Sequence, residues 1–159
     1  MKTVGIALLF GLCAMIGIRL SAKKTARLGT ARTLRKDLQF FSDRIVRSGE
    51  TLVEIASGEG MLFDMLGAYL EALSDGASET DAAEHAAEGL RKGSAEEAGM
   101  QRFFTGMSGA SRSELITRVN VLSPVLERVE NEAEADAKQA RVLRISGVLV
   151  GAGIAILLL

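Results

Sequence analysis

Few side chains in this 159-residue sequence are equipped to bind a metal, attack a bond or move a proton. His85 is the one histidine and Cys13 the one cysteine. A zinc centre takes three or four nitrogen, sulfur or carboxylate ligands, and only carboxylates such as Glu84 and Glu88 stand near His85, in the segment SETDAAEHAAEGL. A solvated acidic helix face accounts for those residues without a metal. Paired acids such as Glu96 and Glu97 would suit hydrolysis only outside their helical context. The run Glu127, Glu130, Glu132, Glu134 and Asp136 reads better as a solvated face. Within it, Glu127, Glu130 and Glu134 are expected to form an acidic docking face for a basic partner. No nucleophile–base motif and no phosphate-cradling glycine loop is legible, and "GAGI" falls inside an apolar run. The expectation is a chain that is not an enzyme, with no catalytic residue, cofactor, metal site or small-molecule substrate.

The elements that hold these residues begin and end in apolar sequence. Thr3 to Ile18 and Ile145 to Leu159 carry no charge, and hydrophobic residues make up 48% of the chain, with a mean hydropathy of +0.22. Each run falls somewhat short of the ~20 residues that span a bilayer. Snorkelling by Arg19 and Arg144 and local thinning can supply the difference. Cys13 then reads as an apolar residue of a membrane helix, and a lone cysteine allows no intrachain disulfide.

The charge distribution orients these segments. Residues 1–36 contain eight bases and no acid, and residues 138–159 contain three bases and no acid. All twenty carboxylates lie from Asp37 to Asp136, against eight bases, a balance of −12. Basic residues close to a membrane segment stay on the cytoplasmic side. Arg19, Lys23, Lys24 and Arg27 after the first run, and Lys138, Arg141 and Arg144 before the last, therefore form a basic collar at one membrane surface. The expected organisation is an N-terminal transmembrane helix over 1–20, a cytoplasmic body over 21–144 and a C-terminal transmembrane helix over 145–159, with both termini on the opposite side. A cleaved signal is the competing reading of the N-terminus; Arg19 and the basic stretch behind it weigh against it. The segment from Arg19 to Lys36 has no interleaved aromatic residue before Phe40, so anionic lipid is the expected partner, not nucleic acid. Ala7, Gly11 and Ala14 in one run, and Gly147, Gly151 and Ala155 in the other, make small faces suited to close helix packing.

The body reads as all-α. Leu34, Leu38, Phe41 and Ile45 form one apolar stripe, stopped near Gly49. Short helices follow in ETLVEIASG and MLFDMLGAYLEAL, the latter with Leu62, Met65, Leu66, Tyr69, Leu70 and Leu73 inward. Ser78 and Ser94 are expected to cap two more, the second carrying Met100, Phe103, Phe104 and Met107. Ser111 and Glu114 have capping-box spacing and open the longest helix, with Leu115, Val119, Leu122, Leu126, Val129, Ala133 and Ala140 on its apolar side. Pro124 is expected to bend it. An antiparallel bundle of five or six helices results, its first and last helices extending into the membrane.

In its layout, and above all in its closing DAKQARVLRISGVLVGAGIAILLL, the sequence resembles the stage III sporulation protein AB family of endospore-forming bacteria. At GMSGASRSELI it departs from the family, which favours an Asp and a later Gln where this chain has Ser111 and Leu115. The resemblance implies a helical cytoplasmic domain similar to that of the type II secretion inner-membrane platform protein. It also implies a place in the channel complex that links mother cell and forespore. There the chain would sit in the outer forespore membrane, with its body in the mother-cell cytoplasm, and would engage a secretion-type ATPase and other membrane subunits. The alternative is a membrane-anchored signalling or scaffold adaptor.

Overall fold

Polar caps punctuate the chain and decide where its helices begin. In the computed structural model, the backbone is described from Lys2 to Leu157, and the side chains of Met15, Arg19, residues 21–142, Ile145 and Ser146. Among the described residues there are six helices and no strand: α1 Lys2–Arg47, α2 Leu52–Ala56, α3 Met61–Ser74, α4 Glu79–Ala86, α5 Ala95–Phe104 and α6 Arg112–Leu157. Ser78 and Ser94 accept from the amides of Asp81 and Glu97, as their types and positions predict. At α6 the Glu114 amide donates to Ser111 Oγ while Glu114 Oε2 takes the Ser111 amide, a reciprocal capping box. Thr51 and Glu54 build a second such box at α2, which the sequence reading did not single out.

Two compact units divide the chain: Thr30–Glu130, and Met1–Gly29 together with Asn131–Leu159. The first holds most of the core. Leu34, Leu38, Phe41 and Ile45 of α1 are buried, as are Leu115, Val119, Leu122 and Leu126 of α6. An aromatic chain ties three helices together: Phe41 meets Phe103 edge-on at 5.5 Å, Phe103 meets Phe104 at 5.5 Å, and Phe104 stacks on Tyr69 at 5.4 Å. Within this unit α1 and α6 run antiparallel. Arg35 pairs with Glu130 near one end, and Arg112 donates to the Val46 carbonyl near the other.

Two details differ from the sequence reading. Phe63 is buried on α3, whereas Leu70 and Leu73 are only partly covered. The helix from Ser78 stops at Ala86, before the expected break at Arg91–Gly93; the chain turns there, and the Leu90 amide bonded to Ala87 O brings Leu90 into the core. As the sequence predicts, one helix, α6, runs unbroken through Pro124.

In the second unit Ala133 and Ala140, which continue the apolar side of α6, are buried, and Asp136 sits 3.5 Å from Lys24 Nζ and 3.9 Å from Arg27 Nη1. Among the described residues no helix is long and apolar enough to cross a membrane. The side chains of nearly all of the two apolar runs, 1–20 and 145–159, lie outside the described residues, and so do Ala7, Gly11, Ala14, Arg144, Gly147, Gly151 and Ala155.

Candidate functional site

The polar groups that organise the body are charges placed at helix ends. A helix leaves unbonded N–H groups at its start and carbonyls at its finish, with matching partial charges. α3 begins at Gly60, which supplies no side-chain cap. Asp37 supplies one from α1: buried at 8% exposure, it accepts the Leu62 amide on Oδ2 at 3.1 Å. Gly60 has φ +141°, and a Cβ there would stand 2.7 Å from Asp37 Oδ2, so only glycine fits beside the carboxylate.

Arginines serve the opposite ends. Arg44 Nη1 and Nη2 donate to the carbonyls of Ile55 and Glu54 at the end of α2, at 3.1 and 3.3 Å, and Nη2 also meets Glu50 at 2.5 Å. Arg118 of α6 donates to four carbonyls where α5 ends: Arg102 and Phe103 at 3.2 and 3.1 Å, then Thr105 and Gly106 at 2.5 and 3.2 Å. The sequence reading missed all three residues. A signal was present, since Asp37 and Arg44 fall seven apart within the Leu34–Ile45 stripe and Arg118 lies between Leu115 and Val119. A charge on an apolar face needs a partner.

The acidic docking face is not an open surface at its centre. Glu130 is held by Arg35 Nη1 at 2.7 Å and Arg32 Nε at 3.3 Å, with its side chain 15% exposed. Hydrogen bonding from Arg35, with a further contribution from Arg32, keeps its carboxyl below the usual range. The same contact raises Arg35. Glu130 is thus partly covered and paired within the chain, with two arginines that α1 brings to it and that its place one turn from Glu127 in the sequence does not reveal. Glu127 is exposed, and Glu134 pairs with Lys138 at 2.9 Å.

In the basic collar, Arg19, Lys23, Lys138 and Arg141 are exposed, while Lys24 and Arg27 share Asp136. His85 lies in the open, Nδ1 3.3 Å from Glu88. Among the described residues no three His, Cys, Asp or Glu side chains gather to hold a metal.

An all-helical body clamped by charged side chains, with basic segments beside two uncharged runs, defines the general class: a helical bundle protein built around long first and last helices. The family profile of stage III sporulation protein AB matches residues 2–159, nearly the whole chain, and the chain belongs to that family of sporulation proteins. No curated protein and no solved structure matches it.

Proposed function

We propose that this chain is a non-enzymatic membrane platform subunit of the sporulation channel between mother cell and forespore. Its apolar terminal segments, 1–20 and 145–159, anchor it in the outer forespore membrane, and its helical body faces the mother-cell cytoplasm. The observation that carries this reading is the coincidence of family membership over residues 2–159 with a two-ended charge pattern, acid-free and basic beside each apolar run. Lys23, Arg19 and Arg141, exposed on the collar, suit anionic headgroups. The body then serves as a docking surface for a secretion-type ATPase and for other membrane subunits.

The test is co-purification. The full-length chain, extracted in mild detergent, should retain the secretion-type ATPase of the same cell, and Glu127→Lys combined with Glu134→Lys should weaken that association. A chain that purifies without the ATPase under conditions that preserve other membrane assemblies would remove the platform reading.

A further inference from the structure

Along one side of the body, a groove of about 550 Å3 runs between α5 and α6. Its lining includes Ala95, Ala98 and Gly99 on one wall and Val121, Pro124 and Val125 on the other. Gly99 suits this close approach, since a Cβ there would stand 3.1 Å from Leu122 and 3.4 Å from Val125. The small residues leave a shallow apolar floor, and Val121 is 66% exposed on it.

The charge of this groove is opposite to that of the body around it. Arg102, Arg118 and Arg128 line it, three of the eight bases between Asp37 and Asp136, and none of the twenty carboxylates does. The carbonyls that hold Arg118 orient its guanidinium without cancelling its charge. Arg128 has further interactions of its own, which leaves exposed Arg102 as the guanidinium most open to a newcomer. Arg118 and Arg128 lie ten residues apart on α6, about 15 Å of helix.

From these features we infer that the α5–α6 groove docks an acidic amphipathic helix of a protein partner, about three turns long, with apolar side chains on Val121 and Val125 and carboxylates toward the arginines. Helix-in-groove recognition uses this combination of an apolar seam and flanking charge, and opposite charges at the rim fix register and exclude the wrong partner. The inference goes beyond the platform reading and does not depend on which complex the chain serves. It also reverses the expected polarity of docking: the body's acids are widespread, but its shaped surface is basic.

A peptide pair tests it on the full-length protein in nanodiscs of uncharged lipid. Both labelled peptides form the same Leu-faced helix, one flanked by Glu and one by Lys, and anisotropy reads binding. The net charge of the body favours the Lys peptide, so the expected preference for the Glu peptide, at least tenfold, cannot come from the overall field. Arg102→Glu should cost the Glu peptide about tenfold, and a photo-crosslinking residue at Val121, which alters no charge, should capture it. Equal or tighter binding of the Lys peptide, or no crosslink at Val121, overturns the proposal. Self-association of the chain that Arg102→Glu abolishes and the Glu peptide does not compete would assign the groove to a second copy, and overturns it as well.

Discussion

Asp37 Oδ2 accepts the backbone amide of Leu62 at 3.1 Å across 25 residues of sequence, so that a carboxylate of α1 starts α3. The bond does what a local N-cap does elsewhere in the chain, but it also fixes which turn of α1 lies against the start of α3. Asp37→Ala should therefore cost about 1 kcal/mol for the cap alone, with a further penalty for the Leu62 amide left without its partner. Asp37→Asn, which retains an acceptor, should recover most of it. Urea unfolding of the two variants measures the difference.

Gly60→Ala offers an independent reading of the same contact. The new methyl would have to displace Asp37 and adopt φ +141°. We expect a loss on the order of 2 kcal/mol, and little additivity with Asp37→Ala, because both remove one interaction. Full additivity in a double-mutant cycle would mean that the two residues act separately.

These contacts mark the limit of what is legible in the sequence. The stripes Leu34–Ile45 and Leu115–Ala140, the caps Ser78 and Ser94 and the box Ser111–Glu114 were legible because each depends on residues within a turn or two of one another. Asp37, Arg44, Arg118 and Glu130 were not, because their partners come from other helices. Periodicity shows that a charge falls on an apolar face; it does not show what meets it there. The same limit hid the two arginines that pair with Glu130, and left the basic lining of the α5–α6 groove unseen inside an acidic body.

Arg118 should be irreplaceable by lysine. Its fork spans four carbonyls from Arg102 to Gly106, and an ammonium is a point donor that cannot span the same set. Arg118→Lys is expected to lose about 2 kcal/mol, with hydrogen exchange accelerated first at the end of α5. Uniform exchange changes across the body would argue against a local clamp.

Glu130 gives the body an acid-sensitive contact. Its folded carboxyl titrates below the ordinary value because Arg35 and Arg32 favour the charged form. The stability it contributes is therefore present above the unfolded carboxylate range and is lost as the pH falls through the folded value. Glu130→Gln should lower stability near neutrality by on the order of 1 kcal/mol. The deficit should shrink as the pH is lowered past the usual carboxylate range, until variant and parent melt together. A deficit independent of pH would place the effect of Glu130 in packing.

The most direct measurement of the two-anchor topology is labelling in intact sporulating cells. Lys92→Cys, in an exposed turn of the body, is introduced in a Cys13→Ser background and treated with an impermeant thiol reagent added from outside the mother cell. The expected result is no labelling until the mother-cell membrane is opened, with the protein remaining in the membrane fraction after a high-pH wash. Labelling in intact cells, or release of the chain by that wash, would contradict a membrane platform whose body faces the mother-cell cytoplasm.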